Sequence, residues 1–179
     1  MTIRHESFAP HVDGETRLVI LGSLPGGQSL AKQQYYAHPQ NHFWRLLESV
    51  FDAPLVALDY PSRLAALSRL HIGLWDVIAN AERQGSLDSA IKRPEAQSLH
   101  QLTSLCPKLT AIAFNGAKSA ALGRKALGEK GEALTLDIVG GPSRTIRLID
   151  LPSSSAAYTL AFEKKVQRWA ELAPFAGKA

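Results

Sequence analysis

The chain has 179 residues, 45% of them hydrophobic and 20% charged, with a formal net charge of +4 and one cysteine; that length predicts a single domain around one sizeable core, of the ordinary soluble globular class. No apolar run approaches the roughly 20 residues of a membrane helix, residues 1–15 lack the apolar core of a signal peptide, and Cys106 alone excludes an internal disulfide or a thiolate-held cluster, so a cytoplasmic protein with no membrane attachment is expected. The positive charge permits a polyanionic partner without establishing one, because the basic residues are scattered, with small groups only at Arg124-Lys125 and Lys164-Lys165.

Residues 1–15 read as an irregular lead-in. Residues 17–21 form a first buried strand around Leu18-Val19-Ile20-Leu21, and 22–41 form a long loop with room for a helical turn. Residues 41–51 place Phe43, Leu46, Leu47 and Val50 at helical spacing, with Asn41 suited to cap the first turn. A second helix is predicted over 61–70, then a short strand over 72–78 that runs into a loop including 86–91. A helix over 94–105 carries Leu99 and Leu102 inward, stopped by Pro107. Residues 109–114 read as a strand that turns at Asn115-Gly116 into a helix over 117–127. Two further strands, 134–139 and 145–151, flank Gly140-Gly141-Pro142, and a Pro-Ser loop leads into a final helix over 158–172. Strands alternating with helices predict an α/β protein, a three-layer α/β/α sandwich around a mostly parallel sheet.

Loops 22–41, 76–90 and 151–157, and a fourth beginning at Asn115, leave the carboxyl ends of strands, where open α/β sheets place their ligands. In the first, a strand breaks into Gly22-Ser23-Leu24-Pro25-Gly26, exposing backbone amides, and Tyr35, Tyr36, His38, Asn41 and Trp44 follow too irregularly for one helical face. That is the composition of a pocket that stacks a flat group and grips it with a few polar atoms. Each residue also has a plainer reading. Tyr36 is the stacking candidate, with Tyr35 assigned to the core. His38 donates or accepts a hydrogen bond at the rim, or is structural. Asn41 either caps a helix or orients a water molecule. Asp76, just after an apolar strand, orients a polar group or caps. Ser153, Ser154 and Ser155 precede a helix whose N-terminal amides attract phosphate, or simply cap it. Lys118 meets a phosphate backbone or is solvated.

The frame Gly22-Ser23-Leu24-Pro25-Gly26, Tyr35-Tyr36-Ala37-His38-Pro39-Gln40-Asn41-His42-Phe43-Trp44, Leu74-Trp75-Asp76-Val77-Ile78, Asn115-Gly116-Ala117-Lys118 and Leu151-Pro152-Ser153-Ser154-Ser155-Ala156-Ala157 resembles the uracil-DNA glycosylase superfamily. The resemblance covers roughly residues 17 to 170. It is nearest to the hypoxanthine-DNA glycosylase branch and related to the mismatch-specific branch, whose catalytic Asn in the first turn is replaced here by Leu24. It implies a DNA repair enzyme that flips a deaminated base, most consistently hypoxanthine, out of DNA and hydrolyses its N-glycosidic bond with water, without metal or cofactor. It further implies Asn41 as the catalytic residue and a base pocket of Gly22, Ser23, Leu24, Pro25, Tyr36, His38, Asp76 and Asn115. Ser153, Ser154, Ser155, Ala156 and Lys118 are implied as DNA contacts, in a loop whose small tip offers no bulky wedge or arginine. A monomer is expected. A uracil- or mismatch-directed glycosylase of the same fold and a non-catalytic nucleic-acid-binding module are the alternatives; a small-molecule α/β hydrolase lacks its Gly-x-Ser-x-Gly elbow here.

Overall fold

A computed structural model describes residues 4–136 and 142–177. In chain order the elements are β1 (Arg4–Glu6), β2 (Leu18–Gly22), α1 (Gly27–Lys32), α2 (Phe43–Phe51), α3 (Tyr60–Arg69), β3 (Ile72–Asp76), β4 (Ile78–Arg83), β5 (Ile91–Ala96), α4 (Gln101–Leu105), β6 (Ala111–Asn115), α5 (Ala117–Leu127), β7 (Ala133–Leu136), β8 (Arg144–Leu151) and α6 (Phe162–Trp169). Short 3-10 turns lie at Asp88–Ala90 and Ala170–Phe175.

The central sheet has the order β3-β2-β6-β8-β7. Its first three pairings are parallel and the β7–β8 edge is antiparallel. Every residue of β2, β3 and β6 is buried, as expected of strands covered on both faces. The period-two alternation of a strand divides their side chains between two cores. Leu18 and Ile20 join Phe43, Leu46, Leu47, Leu67 and Trp169 on the face covered by α2, α3 and α6. Val19 and Leu21 join Trp75, Phe114, Ala120, Leu127 and Leu102 on the face covered by α4 and α5. The chain therefore has the expected three layers.

Helix α3 starts where Asp59 accepts the Ser62 amide at 2.9 Å and Pro61 occupies the first turn, both good helix-start chemistry. Helix α5 spans the predicted 117–127 and ends at Gly128 in the left-handed conformation, the usual glycine stop. Near its start, Ser119 Oγ donates to the Leu21 carbonyl at 2.7 Å, tying α5 to β2.

Four segments differ from the sequence expectation. The expected loop 76–90 begins instead with β4, because residues 78–83 pair with β1 and β5. The predicted 94–105 helix is confined to α4; residues before it form β5, which pairs antiparallel with β4 in a second sheet of order β1-β4-β5. Pro94 resembles a helix-start signal, but β5 is an edge strand, where a missing amide costs no ladder bond. Register shifts in the β4–β5 pairing and a positive φ at Arg93 accommodate it. The lead-in is not irregular: β1 pairs with β4, and His11 and Leu74 exchange backbone hydrogen bonds at 2.9 Å. The final helix begins at Phe162, not 158, because residues before it are held in a turn that donates the Tyr158 amide to the Ser155 carbonyl at 3.1 Å. Of the predicted strand 134–139, residues to Leu136 belong to β7, while 137–139 lie outside the described residues.

Gly123 lies where α5 crosses β6. A β-carbon there would collide with the Phe114 ring and approach Val77 Cγ1 to 3.1 Å. Gly123→Ala gains about 1 kcal/mol of helix propensity but overpacks a closed core, a change that typically costs about 1–3 kcal/mol. A net loss of up to about 2 kcal/mol in urea unfolding is expected, opposite in sign to the propensity scale.

Candidate active site

A cleft of about 710 Å³ opens where β2, β3, β6 and β8 end. The register explains why the loops meet there. Gly22 pairs with Asp76 across β2 and β3, and Asn115 with Leu151 across β6 and β8, so parallel strands release their loops at one level. Asn41, Gly22, Ser23, Leu24, Pro25, Tyr36, His38, Asp76, Asn115 and Ser153, Ser154, Ser155 and Ala156 all line this cleft. Lys118, on the first turn of α5, does not.

The Gly22–Gly26 turn is held from below by a residue that sequence reading did not single out. Arg83 is 3% exposed, and its guanidinium donates to the carbonyls of Leu24 and Pro25. With its carbonyls so occupied, the turn is fixed by a charged donor, stronger than a neutral one. Leu24 fills the apolar core beside Trp75 and Leu21. Gly22 is required by space: a β-carbon would lie 2.5 Å from Asp76 Oδ1 and 3.1 Å from the Tyr36 hydroxyl.

Asp88 is a second omission. Ser23 Oγ donates to Asp88 Oδ1 at 2.5 Å, and the adjacent Ser86 Oγ accepts the Gly27 amide at 2.9 Å. Both acceptors belong to the predicted irregular segment, whose position after a strand end was the available signal. Together they staple the β4–β5 connection to the first turn.

Tyr36 adopts φ 54°, an uncommon conformation for a tyrosine. Its ring stacks on Phe43 with centroids 3.6 Å apart and planes 9° from parallel, so Phe43 backs one face of a tyrosine that lines the cleft. Its buried hydroxyl makes no hydrogen bond of ordinary geometry, although the Asn115 side chain is near enough to oppose the rise in its pKa. Burial, then the Asp76 charge, raise its pKa, which keeps the phenol protonated and able to donate. Tyr35 is structural, as expected: its hydroxyl donates to the Ala9 carbonyl at 3.1 Å and its ring meets Phe8 edge-on.

Asn41 and His38 close a tight turn, with the Asn41 amide donating to the His38 carbonyl at 2.9 Å. Asn41 Oδ1 accepts the Phe43 amide at 3.0 Å. The N-cap position itself is His42, which makes no side-chain cap; Asn41, one residue earlier, satisfies the first amide of α2, and this fixes its side chain without exhausting it: a carbonyl oxygen has a second lone pair, and Nδ2 has two donors. His38 is exposed, and its Nδ1 accepts the Gln40 amide at 3.2 Å.

Asn115 joins the serine loop to β6. Its Nδ2 donates to Ser154 Oγ and its Oδ1 accepts the Ser154 amide, each at 2.8 Å. The Ser154 carbonyl accepts the His42 amide at 2.9 Å, the Ser155 carbonyl accepts Lys165 Nζ at 3.0 Å, and the Pro152 carbonyl accepts Trp169 Nε1 at 2.9 Å. Ser153 and Ser155 accept amides of Ser155 and Ala157, each at 3.2 Å, turn contacts that predispose the loop to a single shape. Lys165, 0% exposed, is a further residue missed from sequence.

Asp76 is 3% exposed and accepts one hydrogen bond, from Ser7 Oγ at 2.9 Å. Burial pushes its pKa up to about 7, assisted by the Asp88 charge and opposed by Ser7 and by Arg83. A carboxyl in this state titrates near neutrality, a property typical of functional sites. Among the described residues, no group of three or more His, Cys, Asp and Glu side chains could hold a metal ion, and no helix is long and apolar enough to cross a membrane.

Residues 9–173 match the model of the uracil DNA glycosylase superfamily, and the chain belongs to that superfamily. It is 44% identical, over 117 residues that make up 65% of this chain and 74% of the relative, to a protein of Methanosarcina barkeri named hypoxanthine DNA glycosylase. A protein of the same name from Methanosarcina acetivorans is 42% identical over 112 residues, 63% of this chain and 71% of the relative. Among solved structures, the chain is similar to the solution structure of a candidate uracil DNA glycosylase from Methanosarcina acetivorans. The TM-score is 0.77 and the identity 32%, covering 95% of this chain and 96% of that one.

Folding of the native chain takes up a proton at Asp76 between its ordinary pKa of 3.8 and about 7. The native state then binds more protons than the unfolded one, so stability falls as pH rises through that window. Asp76→Asn removes the uptake. The stability of the variant relative to the native chain is expected to improve from pH 5 to pH 8, on the order of a few kcal/mol, read from urea midpoints at each pH.

Proposed function

We propose that this chain is a monofunctional DNA glycosylase that extrudes hypoxanthine from deoxyinosine-containing DNA and hydrolyses its N-glycosidic bond with water. The single observation that carries the reading is the gathering of Tyr36, Asn41, Asp76 and the serine loop around one cleft. Membership of the superfamily and the names of the two Methanosarcina relatives support it. The cleft volume of about 710 Å³ suits a small-molecule ligand, whose sites run about 300–1,000 Å³.

The chemistry asked of these residues is modest. As the bond to the purine lengthens, positive charge grows on the deoxyribose and negative charge on the base, and the protein must stabilise both. The face of Tyr36 opposite Phe43 stacks the base. The second lone pair of Asn41 Oδ1 orients water towards the sugar carbon, and its Nδ2 donates to the base. Asp76 and the unpartnered Tyr36 hydroxyl contact the base edge, the carboxyl titrating so close to neutrality that it accepts or donates. The Ser153–Ala156 loop receives the phosphates flanking the lesion, and Lys118 the backbone farther out. No lysine intermediate, metal or cofactor enters this scheme. The whole chain acts as one glycosylase domain, as a monomer, in the cytoplasm.

Duplexes carrying a single hypoxanthine, uracil or xanthine, followed by alkaline cleavage, test the substrate. Hypoxanthine release should exceed the other two; equal or greater uracil release would make this a uracil-directed enzyme of the same fold. Base release should fall at least about a hundredfold in Asn41→Ala, with about 1 kcal/mol lost from the α2 cap. Asn41→Ser retains a capping oxygen and is expected to restore stability but not activity, which separates the two roles. Unchanged single-turnover cleavage in Asn41→Ser would move catalysis elsewhere.

A further inference from the structure

We propose that Leu87 is the apolar wedge that enters the base stack when a nucleotide leaves the duplex, a role the small serine loop cannot fill. The inference rests on the glycosylase reading above and adds to it a DNA-inserting residue on the β4–β5 connection.

Leu87 is the most exposed large apolar side chain among the described residues, at 58%. Exposure alone carries little, because single surface leucines are common. Its placement and support are what distinguish it. Leu87 lines the cleft that the serine loop lines from another element. Both of its neighbours are anchored to the first turn: Ser86 Oγ accepts the Gly27 amide at 2.9 Å, and Asp88 Oδ1 accepts Ser23 Oγ at 2.5 Å. Its own carbonyl accepts the Ala90 amide at 3.0 Å, closing the turn behind it. The connection thus presents a bare isobutyl group at the cleft with its backbone fixed on both sides. Val56 and Leu105, also exposed, do not line the cleft.

A duplex that loses one base from its stack exposes apolar ring faces, and proteins that exploit this insert an unbranched or branched aliphatic side chain between base steps. The serine loop offers Ser154, Ser155, Ala156 and Ala157, none large enough to fill that space. Tyr158, 48% exposed, also lines the cleft, but its ring lies 5.4 Å from Lys165 Nζ and its amide is held by Ser155. It is committed to the support of its own loop. The backbone of Leu87 is likewise held by its turn, but its aliphatic side chain carries no ring or polar group to be engaged in this way.

The test compares Leu87→Ala with the native chain on one hypoxanthine-bearing strand, single or in duplex. Duplex kcat/KM should fall by about tenfold or more, while the single-stranded value changes by less than about twofold, because only the duplex needs its gap filled. Leu87→Met should restore most of the duplex rate. A 2-aminopurine placed beside the lesion should brighten on binding to the native chain and not to Leu87→Ala. Tyr158→Ala is the control and should lack this strand-specific pattern. Equal losses on both strand forms, no loss on the duplex, or the pattern appearing in Tyr158→Ala instead would overturn the assignment. If the native chain releases no base at all, the glycosylase reading fails; the 2-aminopurine response still decides whether Leu87 enters the duplex.

Discussion

The in-register ends of four strands are the constraint on which the site depends. Parallel pairing places Gly22 beside Asp76 and Asn115 beside Leu151, so the strand ends that carry the cleft residues lie at one level. A sheet of this kind leaves its carboxyl edge open by construction. Here that edge is narrowed by close packing: the space that a side chain at position 22 would need is taken by the Asp76 carboxylate and the Tyr36 hydroxyl. The absence of one β-carbon lets a carboxylate at the end of β3 and a hydroxyl from the loop after α1 approach each other over the end of β2.

Electrostatics follow from that packing. Arg83 is buried to hold the first turn, and burial works against its charge; the Asp76 and Asp88 carboxylates offset this. In return the guanidinium opposes the rise in the Asp76 pKa that desolvation causes. Two ionisable groups, Arg83 and Asp76, are thus buried side by side with the half-buried Asp88 near them, and each alters the cost of charging the others. Removing one member of such a set leaves an uncompensated charge, which is why the arrangement is costly to disturb. Only Asp76 of the three was singled out by its sequence context.

The parts of the fold that were legible in the sequence are those where burial and local chemistry agree. Leu18-Val19-Ile20-Leu21 reads as a covered strand because both faces are covered, and residues 117–127 read as a helix because a glycine turn starts them and Gly128 stops them. The small sheet was not legible. Residues Ile91–Ala96 carry Lys92, Arg93, Pro94 and Glu95, all exposed, so no apolar alternation marks them as a strand; pairing with β4, a tertiary fact, makes them one. Likewise, Lys165 reads as a surface charge on an amphipathic helix until the serine loop is folded over it. The cleft residues of the motifs were legible from composition, whereas Arg83 and Asp88 were not. Arg83 holds two backbone carbonyls and Asp88 a serine hydroxyl, all distant in sequence, and such contacts leave no local pattern.

The anchoring of the serine loop has a thermodynamic consequence. A segment that is disordered before it meets its partner must surrender its freedom on association, a toll subtracted from affinity. Residues 152–155 are gripped by side chains from β6 and α6 and by the backbone ahead of α2, and the gripping lysine is itself sealed from solvent. The loop has therefore surrendered that freedom during folding, so any later association through it carries no ordering toll of its own.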